Sequence, residues 1–493
     1  MLTTLNYYVF LIKLIVMKKV LFLFLFVISY SFFGQVQING TVYGNGTAYG
    51  GFGHRVSLSS DGLVLAVGCG GDYQNRSGSV KVFKNENNAW IQVGNDIVGS
   101  AFSSLGQSVA LSSDGTILAV GAPGTGYHSA VNDFGYVNLY KNINNVWTQI
   151  GSTITAEEDN SYFGGTIDLS PDGNTIAIGA RFYSQLAGKV QVFKNIDGVW
   201  TQSGPGIYGN NPDDNVGMSL SLASNGNQLA VGVYNFGSLT RRFVRLYEYN
   251  EGTWTQKGED ISFGGLSVDL SEDGNMLATG DPVGSEGYGK VRVFQKIDGS
   301  FTQIGSDFNS SHVWDQFGDC VKLSADGGIL AIGSPWFGQS SSRNGKVDIY
   351  KMNNHEWLQK TTIFGSDYGD LCGEGISLSS DGSIVAAGSP GSRGLFNSTS
   401  SGAVKIFDVT TTLAFNTFIP DHFSVYPNPA RDVINIDLQR NFLFEKAKIY
   451  DNAGRIIKTA TIKNINTSDL QTGAYFIEVI TDKGKAVKPF LKK

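Results

Sequence analysis

The chain has 493 residues, of which 16% are charged; 37 basic against 43 acidic side chains give a formal net charge of −6, and 63 positions are glycine. That length is too great for one ordinary core, so two or more domains are expected. No basic field for nucleic acid is present, and scarce charge with abundant glycine suits many tight turns between short strands.

At the N-terminus, Met17-Lys18-Lys19 is followed by VLFLFLFVISYSFFG. A positive start and an apolar run of this length read as a signal peptide, so residues 1–34 form a signal region with translation starting at Met17. The preceding MLTTLNYYVFLIKLIV is also apolar, and the alternative is a membrane anchor built from both runs. Lys13, Lys18 and Lys19 interrupt that stretch, and neither half reaches the ~20 residues of a span. The mature chain is therefore expected to lack a transmembrane segment. No Cys closes the run, so no lipid anchor is expected there.

Residues 35–409 repeat one pattern seven times. The copy from Phe163 to Gly204 reads FGGTIDLSPDG, NTIAIGA, a loose loop, GKVQVFKN, a short turn and VWTQSG. Four apolar runs separated by turn residues predict one four-stranded antiparallel sheet per copy. Aligned on the first turn, Asp61, Asp114, Asp172, Asn225, Asp273, Asp326 and Asp381 fall in register at spacings of 53, 58, 53, 48, 53 and 55 residues. Seven units of that period predict a seven-bladed β-propeller. The fourth strand carries a marker aromatic: Trp90, Trp147, Trp200, Trp254, Phe301 and Trp357. Six markers serve seven repeats. The last copy ends at Gly402-AVKIFDV, while the mature N-terminus opens with Gln35-VQING, which resembles WTQIG without its aromatic. The N-terminal strand is thus expected to complete the seventh sheet, pairing two edges that would otherwise stay open. The marker aromatics, and Phe52, Phe163, Phe263 and Phe317 of the opening FG pairs, are expected to pack between sheets.

Two of the four connections per repeat are short and uniform: the SxDG turn and the Asn-rich turn before the aromatic strand. The other two vary freely, and strand alternation brings them out on the same side. Variable loops on a rigid scaffold are where binding usually lives. Tyr73, Tyr127, Tyr183, Tyr234, Tyr288, Trp314 and Trp336 recur there among Asn, Ser and Asp, a mixture suited to glycan or protein recognition, and they are the candidate ligand residues. Their alternative role is to pin long loops.

Metal and catalytic readings are weaker. Glu157-Glu158-Asp159 and Asp213-Asp214 could approach one another around Ca²⁺, but they lack calcium-loop spacing and are expected to be solvated. The Asp of SxDG is expected to serve a tight turn. Cys69, Cys320 and Cys372 lack metal-site spacing and are expected to be small buried residues, although an exported protein could form a disulfide between neighbouring sheets. His54, His128, His312, His355 and His422 accompany no nucleophile elbow or metal motif. A carboxylate pair for glycan cleavage could come from Asp281, Asp315, Asp319 or Asp370. A binding protein without cofactor or metal is expected, monomeric, with a polysaccharide-degrading enzyme or a purely structural surface protein as alternatives.

The string FGxxVxLSxDGxxLAVGAP, clearest from Leu105-Gly106 through Pro123, resembles the FG-GAP repeat of integrin α-chain propellers and their bacterial relatives. The resemblance implies extracellular binding or adhesion. Integrin-type repeats often carry a longer DxDxDG calcium loop, which here has shrunk to SSDG, SPDG or SADG, so calcium does not carry over.

After a linker at 410–422, residues 423–493 form a second, smaller β domain, on physical grounds an Ig-like β-sandwich. Its markers are Tyr426-Pro427-Asn428-Pro429, then AKIYDNAGR (447–455) with Asp451, Gly454 and Arg455, then DLQTGAYFIEVI (469–480) with Gly473 and Tyr475. In order, spacing and position this is similar to the type A C-terminal sorting domain of the type IX secretion system of Bacteroidetes. That resemblance implies Sec export, recognition by the type IX machinery, passage across the outer membrane, and release or attachment to surface lipopolysaccharide.

Overall fold

The computed structural model describes residues 36–44, 51–71, 76–124, 134–284, 286–338, 343–391, 402–413, 422–439, 442–451, 455–481 and 484–493. The signal region expected over 1–34 lies outside them. The chain is all-β apart from a few helical turns and divides into two compact units between Thr411 and Thr412.

In the first unit seven antiparallel sheets follow one another, six built on four main strands in chain order and the seventh on three together with the N-terminal strand. The first contains Arg55–Leu58, Val64–Cys69, Ser79–Glu86 and Ala89–Gln92. The third contains Phe163–Leu169, Thr175–Ala180, Lys189–Ile196 and Val199–Gln202. Second strands are continuous apolar runs because both their faces are covered: Leu65, Ala66 and Val67 are fully buried, as are Ile176, Ala177 and Ile178. In four sheets the chain breaks after the fourth strand and a short extra segment, such as Ile97–Val98 or Phe308–Val313, returns to pair with the third.

The SxDG turn is held by its own side chains. Ser112 Oγ donates to Asp114 Oδ1 (2.7 Å), which also accepts the Thr116 amide (2.9 Å), while Ser112 Oγ accepts the Ile117 amide (2.9 Å). The same bonds recur at Ser59/Asp61, Ser170/Asp172, Ser271/Asp273, Ser324/Asp326 and Ser379/Asp381. An Asp that caps its own turn in this way has a complete structural role.

The first strands of the seven sheets touch in cyclic order, and that of the seventh touches that of the first. At the turn end, backbone bonds run from Ser60 to Ser113, Ser113 to Pro171, Ser224 to Glu272, Glu272 to Ala325, Ala325 to Ser380 and Ser380 back to Ser60. The circuit breaks once, at Pro171, which has no N–H to give to Ser224. A second set of links joins the third strand of one sheet to the opening pair of the next, as at Gly78 with Leu105, Gly188 with Val216, Gly345 with Cys372 and Gly402 with Phe52. Gly53, at φ +93°, follows Phe52 at that last junction. A Cβ there would lie 2.5 Å from the Ala403 carbonyl oxygen, so glycine is required for the close approach.

The N-terminal strand Val36–Tyr43 lies antiparallel to Ala403–Asp408, with Val42 opposite Val404, and becomes the outermost strand of the seventh sheet. Residues from both chain ends therefore share one core cluster, in which Val42, Phe52, Leu65, Val404 and Ile406 are buried.

The marker aromatics lie between sheets. Trp147 donates its indole N–H to the Val93 carbonyl of the preceding sheet (3.1 Å), and Trp254 donates to that of Ser203 (2.8 Å). One FG residue departs from expectation. Phe263 is 48% exposed, beneath the Arg292 guanidinium at 4.7 Å. The fifth sheet instead aligns on Gly265, at φ +93°, which puts Gly264 where three other sheets place Phe and the remaining three Leu105, Val216 and Cys372. Two consecutive glycines permitted this shift, and Thr279 packs into the space that a side chain at 264 would need. Cys372 occupies the equivalent position in the seventh sheet, fully buried. Burial pushes its thiol up to about 11, and neither it nor Cys320 forms a disulfide.

In the second unit, Phe423–Tyr426, Val433–Leu438 and Asn464–Asn466 make a three-stranded sheet, and Phe444–Tyr450, Ile456–Ala460, Gly473–Thr481 and Gly484–Lys492 a four-stranded one. Alternation supplies one apolar face from each, and Ile434, Ile436, Ala447, Ile449, Ile477, Val479 and Phe490 meet in a single core. Of the linker expected over 410–422, Thr410–Leu413 forms one helical turn, and 414–421 lies outside the described residues.

Candidate binding face

The bridges that join sheets also fix where the variable loops emerge. At the third-to-fourth junction, the Asp213 and Asn215 amides of the connecting loop donate to the Gln185 and Leu186 carbonyls (3.2 and 2.8 Å) of the loop inside the third sheet. Trp336 N donates likewise to Asp315 O (3.1 Å), and Leu371 N to Arg343 O (3.1 Å). Both variable loop classes thus leave the sheets on one side and lace together.

Tyr73 and Tyr127 lie outside the described residues. Trp314, at 61%, and Tyr288, at 42%, are exposed on adjoining segments, with Tyr288 paired to Val313 and the Trp314 amide donating to Gly287 O (2.8 Å). Trp336 is half-buried under the Arg343 guanidinium, 4.2 Å from its ring centroid. Tyr183 is half-buried beside Tyr208, with Lys189 5.0 Å from its ring. Tyr234 corrects the sequence reading. It is fully buried, its hydroxyl donates to Asp281 Oδ1 (2.9 Å), and Arg242 lies over its ring at 4.6 Å, so it offers no surface to a ligand. Burial and the Asp281 charge push its hydroxyl pKa well above the ordinary tyrosine range.

Other exposed aromatics went unnoticed in the sequence: Phe236 (59%), Tyr368 (66%) and Phe364 (55%). His312 sits edge-on to Phe337 (5.0 Å), which in turn lies 6.1 Å from Phe364. They occupy the same variable segments, which was the signal available.

Five of the acids considered for metal or catalysis make internal bonds. Asp281 is also bonded to buried Arg242 (3.3 Å), Asp315 to Ser310 and the Phe317 amide (2.5 and 3.0 Å), and Asp370 to the Ser366 and Asp367 amides (2.8 and 3.1 Å). Glu157 pairs with buried Lys189 (2.7 Å), which holds its carboxyl below the usual range. Asp214 is buried against Arg241 and accepts the Asn211 amide (2.9 Å). Among the described residues no cluster of three His, Cys, Asp or Glu side chains could hold a metal ion.

The seven first strands line a cavity of about 720 Å³. Here lies a charged set that sequence reading missed. Asp269 accepts from Lys322 Nζ (2.6 Å) and from the Leu323 amide (2.7 Å), and Asp168 accepts the Leu222 amide (2.7 Å). Burial pushes the Asp168 carboxyl up to about 6, the Asp269 charge adds to the rise, and Lys322 opposes it. These positions match Ser57, Ser221 and Ser377, which accept the Leu111, Leu270 and Leu58 amides. Alignment of the copies shows a charge in three of them at a position where three others have Ser and one has Ala110. His54 and Glu374 face each other at 3.1 Å in the same lining.

In the second unit, Tyr426 ends the first strand and precedes cis bonds at Pro427 and Pro429. Asn428 Oδ1 accepts the Leu491 amide (2.9 Å), tying this segment to the last strand. Asp451 accepts from the amide and Nε of Arg455 (2.9 and 2.7 Å), while Gly454 lies outside the described residues. Gly473 opens a strand, and the Tyr475 hydroxyl donates to Gln471 O (2.9 Å) with its ring stacked on Phe490. Asn428 and Asp451 thus hold an edge and a turn of this unit, and Tyr475 belongs to its core.

Residues 424–493 match the secretion system C-terminal sorting domain, and this marks the protein for type IX export to the cell surface or the surrounding medium. No curated protein matches the chain. Among the described residues no helix is long and apolar enough to cross a membrane.

Proposed function

We propose that the first unit is a seven-bladed β-propeller of FG-GAP type and that the exported protein binds an extracellular glycan or protein through its variable loops. The second unit is read as an Ig-like sandwich that engages the type IX machinery. The cyclic contacts among first strands and the pairing of the two chain ends support the propeller. The observation that carries the binding reading is Trp314, 61% exposed beside exposed Tyr288 at the loop end of the sheets. An indole in water gains only by stacking on a partner, since it adds little to the core beneath. The acids noted above are occupied by internal bonds, which supports a binder over an enzyme. A glycan and matrix-protein array probed with the secreted protein tests this. Trp314→Ala with Tyr288→Ala should lower retention on the bound probe at least tenfold while the melting temperature moves by under about 1 °C. Turnover of a polysaccharide, or undiminished retention, would overturn it.

A further inference from the structure

Five junctions between consecutive sheets, from the first to the sixth, share one plan, and four of them carry it out alike. In each of four, the glycine after the aromatic strand, at positive φ, receives the indole of the next sheet. A Cβ added there would lie 3.1 Å from Trp147 at Gly94, 2.7 Å from Trp200 at Gly151, 3.3 Å from Trp254 at Gly204 and 3.1 Å from Trp357 at Gly305. At the fourth-to-fifth junction the glycine is Gly258, with φ +73°, and nothing lies within 4 Å of its added Cβ. The next sheet supplies Phe301 there, a smaller ring. The result is a cavity of about 530 Å³ whose apolar lining includes Leu246, Leu270, Phe294 and Phe301.

Its polar side is specified by the same comparison. Where the marker indole N–H is bonded, it donates to the residue just before the glycine, Val93 or Ser203. The counterpart here is Lys257, which lines the cavity, and Phe301 has no N–H to give it. The basic side chains of the lining are already paired: Lys296 with Glu248 (3.1 Å), Lys257 with Glu248 (3.5 Å) and Arg292 with Asp307 (2.8 Å), and Asp260 is held by Arg245 (3.1 Å), while Glu259 lies exposed at the rim. An anionic ligand would have to displace one of these pairs, whereas a neutral one would not.

We propose that the cavity between the fourth and fifth sheets binds a neutral planar aromatic molecule bearing one N–H donor, indole being the simplest. The ring takes the space beside Gly258 that Phe301 leaves open, stacking against Phe301 and the Leu246 and Leu270 side chains, and its N–H reaches the Lys257 carbonyl. Apolar protein cavities do accept small aromatic molecules of this kind. The inference rests on the junction geometry alone and is separate from the loop-face reading.

The test is ligand-observed NMR and calorimetry of the full chain with indole. Saturable binding in the roughly millimolar range or tighter is expected from its size, with N-methylindole about three- to tenfold weaker for want of the hydrogen bond. Phe301→Trp puts an indole of the chain's own beside Gly258 and should weaken binding at least tenfold while leaving the melting temperature equal or higher. Crystals soaked in 5-bromoindole supply a readout that needs no variant, with an anomalous peak expected beside Gly258. A peak elsewhere, no saturation with indole, or binding undiminished in Phe301→Trp would overturn the assignment.

Discussion

The pairing of the two chain ends can be tested by adjacent substitutions in the N-terminal strand. Val42 is 7% exposed against Val404 and Ile406, while Tyr43 turns outward at 66%. Val42→Asp loses the burial of a valine, about 2 kcal/mol, and sets a carboxyl in an apolar cluster at about 2 kcal/mol more after relaxation or protonation. With an unfolding entropy of roughly 2.1 cal/mol/K per residue over a unit of some 370 residues, one degree of melting corresponds to about 0.8 kcal/mol. The expected drop is about 5 °C by calorimetry. Tyr43→Asp, one residue along and on the opposite face, should shift melting by under about 1 °C. Equal effects at the two positions, or none at Val42, would refute the docked strand and with it the closure of the ring.

Further outcomes follow from other contacts. Trp254→Phe removes the bond to Ser203 O and part of a buried ring, at a cost of about 2 kcal/mol by urea titration. Trp90→Phe, whose indole N–H is buried without a partner, should cost measurably less. Asp168 is held at about 6, above the ordinary ~3.9, so the folded state binds the extra proton and stability falls as pH rises from about 4 to 6. Asp168→Asn should remove that decline, so the variant outlasts the parent at pH 7 but not at pH 4 in thermal melts; parallel curves would refute the assignment. The turn carboxyls Asp114, Asp172, Asp273 and Asp381 run the other way. Burial opposes their ionisation, but hydrogen bonds from Ser and backbone partners outweigh it, so their contribution is present above about pH 4 and fades as pH falls through their lowered values. Deletion of 423–493 should leave the protein in the periplasm by cell fractionation, and normal secretion of the truncated chain would contradict the sorting role.

What could be read from the sequence is what the repeat states locally. Asp114 and Ser112 announce their turn because the bonds they make span five residues, and Trp147 announces its strand because the same indole recurs in five of the seven sheets. Legibility ended where geometry depends on residues about 50 apart. Asp168, Asp269 and Lys322 look like ordinary strand residues, and only closing the sheets brings them around one cavity. Tyr234 sits in a stretch that reads as loop, yet Arg242 and Asp281 draw it inside. At Phe263-Gly264-Gly265 the motif can be framed in two ways, and only packing against Thr279 decides between them. Phe301 is the opposite case, since the missing tryptophan was visible as the one Phe among six markers, while its effect, an unfilled junction, was not.

The single proline in the circuit of turn-end bonds gives that circuit a first and a last link. Each link passes its amide to the next copy in the same direction, so the series starts at Ser224 and stops at Pro171. The third and fourth copies therefore depend on other bonds, from the Trp254 indole to Ser203 O and from the Asp213 and Asn215 amides to the loop of the third sheet.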